Sequence, residues 1–266
     1  MQATFIVFMQ EPVSHAAEAG LHIALKAEPI FHVGSFPITN TLLMTWVVML
    51  VLGIMAILVG MSVKKIPSRV QTFFELVFGG LLDYIETVLE SRNLALKFFP
   101  LLATIFLFIL FGNWLGLVPG FEAIMITTEA THGEPALLFH PINTDLNTTL
   151  ALAIIAFLVI EVTGVVMIGV LKYGGKFVNV SSVIGFFVGI IELVSELARL
   201  IAFSFRLFGN IFAGKVLLAV IVFFIPFVVP VPLMLFEIFV GFIQAAIFAL
   251  LTLFFIKIAI TESEAH

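Results

Sequence analysis

The segment SVIGFFVGIIELVSELARLIAFSFRLFGNIFAGKVLLAVIVFFI, residues 182–225, is continuously helix-compatible, yet it carries Glu192, Glu196, Arg199, Arg206 and Lys215. At about 1.5 Å per residue, some forty residues reach about 60 Å, twice the roughly 30 Å of bilayer hydrocarbon, so such a helix must tilt steeply or break. A proline-rich turn, Pro226 to Pro232, then returns the chain through a last helix, about Leu233 to Ile260, which carries Glu237, Gln244 and Lys257. The two helices form a hairpin of membrane-spanning length with charges at membrane depth, and that combination sets the fold class.

The composition of the other residues agrees with a membrane protein. Of 266 residues, 62% are hydrophobic and 11% charged, and 31 are Phe; soluble domains are about one quarter charged. Mean hydropathy is +1.24. The net charge of -5 and the lack of a long basic run give no electrostatic support for nucleic-acid binding. The absence of cysteine removes disulfide frameworks, thiolate metal sites and thiol nucleophiles. His15, His22, His32, His132, His140 and His266 lie in tails or in an acidic loop, none at the i, i+4 spacing of a helical metal site, so neither a metal nor a cofactor is expected.

Stretches free of Asp, Glu, Lys and Arg mark the other spans, because a charge at the bilayer centre costs at least about 2.5 kcal/mol. The first runs from about Asn40 to Val63 and ends at Lys64, Lys65 and Arg69, a basic cluster that the positive-inside bias places in the cytoplasm. The N-terminus is therefore outside, and residues 1–36, which lack a basic n-region, read as an external tail. Between Arg69 and Arg92, Glu75, Asp83, Glu86 and Glu90 fall within about 80° on a helical wheel and apolar residues fill the remainder, an interfacial helix on the cytoplasmic side. A second span, about Lys97 to Pro119, carries Gly112, Gly116 and Gly120 at four-residue spacing, which lets another helix approach closely. The loop from about Phe121 to Thr144 has Glu122, Glu129 and Glu134 but no Lys or Arg, as expected outside. A third span, about Leu146 to Leu171, holds one acid, Glu161, and the pair Gly174 and Gly175 is expected to break the helix. The expected fold is thus all-α and polytopic: about five membrane helices, one interfacial amphipathic helix and a long tilted C-terminal hairpin. Its parts are an extracytoplasmic tail 1–36, a single membrane domain 37–260 and a cytoplasmic tail 261–266.

Counting about 100° per residue from Glu192, Glu196 falls near 40°, Arg199 near -20°, Arg206 near -40° and Asn210 near 0°, one stripe on the long helix. Ionisable residues at membrane depth usually face a water-filled cavity or a partner, so the stripe reads as an ion path or a subunit interface. Glu192, Glu196 and Arg199 could also merely neutralise one another. Arg206 differs, because its neighbours at i±3 and i±4 are Ala202, Phe203, Gly209 and Asn210, none of them anionic. Its counter-charge must come from elsewhere. Arginine does not release its proton, so it acts as a fixed field, and a fixed positive charge facing a carboxylate makes that carboxylate release its ion. Lys215 lies about 180° around the helix from Arg206 and nearer the external turn, where a pair with Glu237 would line an external aqueous funnel or form one neutralising salt bridge.

His140 and Asp145 make an H-x-x-x-x-D spacing seen in some acyltransferases, which would imply an intramembrane acyl-transfer enzyme. No phosphate-binding basic cluster accompanies it, and chance is the better account. No internal repeat with matching charged positions is present, which counts against a self-contained proton-coupled carrier, the alternative reading.

The nonapeptide RLFGNIFAG, residues 206–214, closely resembles the signature of subunit a of the F-type ATP synthase, the membrane stator that carries ions past the rotating c-ring. FGNWLGLVPG (111–120), PINTDLNTTLA (141–151) and IQAAIFALLT (243–252) resemble further family segments, and the similarity extends over about residues 40–260. The resemblance implies that Arg206 is the essential arginine, Gln244 its polar partner on the last helix and Asn210 the asparagine beside it. Glu192 and Arg199 match positions lining the inner half-channel, with Glu196 beside them. Lys215 and Glu237 stand where the family usually has a carboxylate and an imidazole or second carboxylate. Lysine is a departure that suggests a structural or tuning role. Leu200 stands where many members have proline, which leaves a local bend open.

The mechanism so implied brings ions in from outside near Glu237, Lys215 and Glu161, onto a c-ring carboxylate, around the ring and out near Glu192 and Glu196, with Arg206 between the two half-channels. The translocated ion is H⁺, with Na⁺ the alternative, because the carboxylate that binds it would lie on the c subunit. The implied partners are the c-ring, the peripheral-stalk b subunits and the bilayer of a bacterial cell membrane. The implied chain is not catalytic on its own and holds no nucleotide site.

Overall fold

The computed structural model describes residues 5–8, 27–64, 67–118, 120–121, 123–131, 133, 135–177 and 183–261. Much of the expected external tail, Lys65, Glu122, Glu134 and residues 262–266 lie outside these. Among the described residues, five helices are long and apolar enough to cross a membrane. They are α1 (Asn40–Ser62), α3 (Arg92–Gly116), α4 (Leu146–Ile168), α6 (Val183–Phe224) and α7 (Pro230–Thr261). The chain is an all-α polytopic membrane protein, with two further helices, α2 (Arg69–Leu89) and α5 (Val170–Phe177).

Local chemistry sets the ends of these helices. The α2 helix starts where the Ser68 hydroxyl accepts the Gln71 amide, and it ends at Glu90, whose φ of 56° is left-handed. Prolines 230 and 232 occupy the first turn of α7, where a missing N–H costs nothing. This helix therefore begins before the expected Leu233.

Two further expectations need correction, and two points left open are resolved. Helix α3 starts at Arg92 and takes Lys97 and Pro100 into its body, because a spanning helix outlasts the apolar window that betrays it. The break after α4 falls at Gly169, with φ 93°, while Gly174 and Gly175 sit inside α5. One left-handed residue suffices to turn the chain, and nothing requires a second. Helix α6 is unbroken through Leu200 for 42 residues, about 63 Å, which leaves tilt as the way to fit the bilayer. The acidic loop is structured: β1 (Phe5–Phe8), β4 (Ile124–Thr127) and β5 (Ala136–Leu137) make a three-stranded antiparallel sheet. A separate hairpin joins β2 (Pro29–Val33) to β3 (Phe36–Thr39).

The chain sorts into two compact units. The first comprises Met1–Ile54, Leu107–Thr149 and Leu207–Ala245. Its core gathers Met44, Val48 and Ile142 with Phe108, Phe111, Phe121 and Phe139, and a smaller cluster joins Ile30, Ile126 and Ala136. The glycine series on α3 receives a turn here, not a helix. A Cβ at Gly116 would stand 2.8 Å from the Pro141 ring and one at Gly112 3.5 Å from Ile142 and Asn143, so the 141–143 turn packs against bare backbone.

The second unit comprises Met55–Phe106, Leu150–Arg206 and Ala246–His266. Ile85 and Leu89 of α2 pack with Ala95, Phe98 and Leu102 of α3, Ile160 of α4, and Leu253, Ile256 and Ala259 of α7. Small residues such as Ala95 and Ala259 allow close backbone approach where no hydrophobic effect drives helices together in lipid. The acidic face of α2 is held by cations. Arg92 reaches Glu86 at 2.7 Å and Asp83 at 3.4 Å, and Lys257 reaches Glu90 at 3.2 Å.

Candidate functional site

The charged stripe on α6 contains an ion pair, Glu196 with Arg199, and one residue, Arg206, that is in no ion pair among the described residues. In the second unit, Glu196 is buried and its Oε2 accepts from Arg199 Nη1 at 2.6 Å, one helical turn away. The Arg199 guanidinium also lies 4.0 Å above the Phe255 ring of α7, a cation–π contact that holds the pair in place. Burying a charge without a partner would cost several kcal/mol, so Glu196 and Arg199 stabilise each other. Glu192, one turn before, is half-buried.

Arg206 is exposed on α6, next in sequence to Phe205, whose side chain is also exposed. The ion pairs among the described residues do not include it. On the same helix, one turn earlier, Phe203 is buried and packs on Phe248, with ring centroids 5.1 Å apart, whereas Arg206 is left exposed by the described residues.

The rest of the predicted stripe belongs to the first unit. Asn210 donates through Nδ2 to Gln244 Oε1 at 2.7 Å, which ties α6 to α7, and Gln244 is 2% exposed. Nearer the turn between these helices lies a cavity of about 140 Å³, lined by Asn113, Gly116, Pro141, Thr144, Ile211, Gly214, Lys215, Leu218, Met234 and Glu237. It holds two of the three residues assigned to the external funnel, Lys215 and Glu237. The Glu237 carboxylate lies against Gly214, where any Cβ would overlap it.

Glu161 is not among the residues that line this cavity. Its carboxylate accepts from the Tyr173 hydroxyl at 2.8 Å, in the second unit. Fifteen residues of α4 carry it about 22 Å from the Leu146 end.

Sequence reasoning missed the polar residues opposite α6. His140, dismissed together with its chance spacing to Asp145, is buried, and its Nδ1 lies 3.4 Å from Lys215 Nζ. Its Nε2 is 2.9 Å from Thr144 Oγ1, while that hydroxyl donates to the Pro141 carbonyl at 2.7 Å. Burial, and secondarily the Lys215 charge, pushes the His140 imidazole down to about 3, so it is neutral at physiological pH. Asp145 does different work. It accepts from Thr41 at 3.2 Å and from the Asn147 amide at 3.0 Å, anchoring α1 and starting α4.

Asn143 donates to Asn113 at 2.7 Å, Asn113 donates to the Gly241 carbonyl at 3.1 Å, and Trp114 donates to the Ile238 carbonyl at 3.0 Å. These bonds fix α7 against α3. The advance signal was position, since the sequence puts residues 140–144 at the same expected end of the spans as Lys215 and Glu237.

Comparison with known proteins adds an independent observation. A family model described as ATP synthase A chain matches residues 42–257. Similar proteins include ATP synthase subunit a of Mycobacterium ulcerans, 36% identical over 233 residues, which are 86% of this chain and 89% of that protein. Another is ATP synthase subunit a of Syntrophobacter fumaroxidans, 33% identical over 245 residues, 92% and 93% of the two chains. A third, ATP synthase subunit a of Geotalea daltonii, is 33% identical over 219 residues, 82% and 86%.

Proposed function

The chain belongs to the ATP synthase A chain family, and from that premise we propose that it is the proton-conducting stator component of an F-type ATP synthase, working against a rotating ring of c subunits. The observation that carries the reading is Arg206, a permanent cation exposed among apolar side chains with no carboxylate of the described residues paired to it. Such a charge is costly in lipid, and a carboxylate on a neighbouring membrane subunit would satisfy it.

In the proposed cycle, ions enter from outside through the cavity beside Glu237 and pass to a ring carboxylate. They travel round the ring and leave by an inner path near Glu192 and the Glu196–Arg199 pair. Arg206 stands on α6 between the two sets of residues in sequence. Its fixed charge favours the ionised form of each returning carboxylate, so the proton leaves, and it repels a cation moving directly from one path to the other. Asn210 and Gln244 form the polar surface beside it. Lys215 is a fixed charge on the wall of the outer cavity, and Glu161, whose carboxylate accepts from Tyr173, is a further polar group of the ion path. Each proton crossing 100 mV supplies about 2.3 kcal/mol to turn the ring. The chemistry of ATP lies on other subunits, and peripheral-stalk b subunits hold this chain still. The orientation has the N-terminus outside and the C-terminus in the cytoplasm of a bacterial cell.

Cross-linking tests the facing surface. The chain has no cysteine, so Phe205→Cys introduces a single thiol beside Arg206, to be oxidised against a cysteine placed next to the ring carboxylate. A disulfide to the c subunit is expected for exposed position 205 and not for buried position 203. Equal cross-linking at both positions, or none at 205, would overturn the proposed interface.

A further inference from the structure

We infer that a groove between α3 and α4, within the second unit, is a binding site for one anionic phospholipid, whose acyl chain lies along the groove and whose phosphate meets the Lys97 ammonium.

The groove has a volume of about 280 Å³, and Lys97 is the one charged residue in its lining. The rest of the lining is apolar except for Thr163, whose hydroxyl proton is already given to the Val159 carbonyl at 2.6 Å. On α4 the wall is Leu158, Val162 and Val166, which recur every four residues and so form a single stripe. All three side chains are exposed.

Lys97 is exposed and takes part in none of the ion pairs among the described residues. The reason is its place on the helix. Arg92 and Lys97 both lie in the first two turns of α3, but five residues set their side-chain directions about 140° apart. Arg92 therefore meets Glu86 and Asp83 of α2, while Lys97 lies on the side toward α4. The one acid of α4, Glu161, is not in the groove lining, and its carboxylate accepts from Tyr173. The groove thus presents a cation and offers it no carboxylate of its own.

An ammonium is a strongly hydrated point charge, and beside an apolar stripe in a membrane its stem extends toward the headgroups. A phospholipid complements both features, with a chain for the stripe and a phosphate for the lysine. A zwitterionic headgroup carries its own cation next to the phosphate and competes with the lysine; an anionic headgroup has none. The amino end of α3, the positive end of its helix dipole, favours the same sign. Length distinguishes a lipid from a protein. The groove follows α4 from Leu158 to Met167, about 14 Å, and stops one residue short of the helix end. That is half of the roughly 30 Å of hydrocarbon, the depth of one leaflet, whereas a spanning helix of another subunit needs the whole.

The test is photolabelling of the complete complex in phosphatidylcholine vesicles that contain a photoactivatable phosphatidylglycerol or, in parallel, a photoactivatable phosphatidylcholine with the same chains. Adducts are located by peptide mass spectrometry. Residues 158–167 are expected to take about five times more label from the glycerol lipid, the factor one basic residue contributes beside anionic lipid. Lys97→Gln should bring the ratio to about one, and Lys97→Arg should keep it. Lys97→Met replaces the glutamine variant if that fails to assemble. Equal labelling by the two lipids in wild type, or a preference that survives Lys97→Gln, overturns the site. Absence of label from either lipid at 158–167 also overturns it and assigns the groove to another subunit. None of these outcomes bears on Arg206, so the inference stands or falls apart from the ion path.

Discussion

Gly214→Ala is the smallest change that reaches the outer cavity. The added methyl would occupy space that the Glu237 carboxylate fills. Ordinary contact begins at about 3.4 Å, so either the carboxylate withdraws or α6 and α7 separate. Separation is resisted by the Asn210–Gln244 bond of 2.7 Å and by the Asn113 and Trp114 bonds to α7 carbonyls at 3.1 and 3.0 Å. The carboxylate is therefore the part that gives. Overpacking of this kind costs about 1–3 kcal/mol, which a complex with intact α3 and α7 contacts survives. Misplacement of a reacting group by about 1 Å costs up to about a hundredfold in rate. The expected result is an assembled complex whose ATP-driven acidification falls between about tenfold and a hundredfold. Glu237→Asp in the same chain, shorter by one methylene, is expected to restore part of the rate. Wild-type pumping by Gly214→Ala would show that the position of Glu237 over Gly214 has no bearing on ion passage.

Two other predictions concern stability. His140 is neutral when folded, with its pKa pushed down to about 3, whereas the unfolded imidazole titrates near 6.5. Its contribution is therefore fully present above about pH 6.5 and is lost as pH falls toward 3, because the unfolded chain binds the extra proton. At pH 5 the loss is about 2 kcal/mol. Thermal inactivation of the solubilised complex should be steeper with acid in wild type than in His140→Asn, and parallel curves would contradict the buried neutral state. Gly169→Ala should lower the inactivation midpoint by the equivalent of about 1–2 kcal/mol, because φ 93° is strained for any L side chain. Gly174→Ala, in an open helical position, should be neutral or slightly stabilising; the reverse order would place the chain break where the sequence suggested it.

The number of membrane-length helices was legible because a single physical rule governs them. A charge-free window near Asn40 to Val63 can only be a span, and α1 runs from Asn40 to Ser62. The length and polar load of α6 were likewise written in residues 182–225. Boundaries were less legible where a polar residue could be held. Lys97 lies within α3, and the Gly174–Gly175 pair lies within α5 because helical geometry tolerates glycine that propensity disfavours.

For the site, residues on one helix could be related by angle, which gave the stripe from Glu192 to Asn210. Residues brought together from distant segments could not. His140 and Lys215 are separated by 75 positions, and nothing in either local sequence announces the other. Glu161 is a second case, since nothing beside it in the sequence announces the hydrogen bond its carboxylate accepts from Tyr173, twelve residues ahead.

The most direct measurement of the central claim is ATP-driven acidification of inverted vesicles carrying the complete complex, wild type against Arg206→Ala at equal assembly, with and without added Na⁺. The account predicts that the variant assembles, retains ATP hydrolysis and does not pump, and that Na⁺ leaves the wild-type rate unchanged. Normal pumping by Arg206→Ala would contradict it and reduce Arg206 to a structural charge.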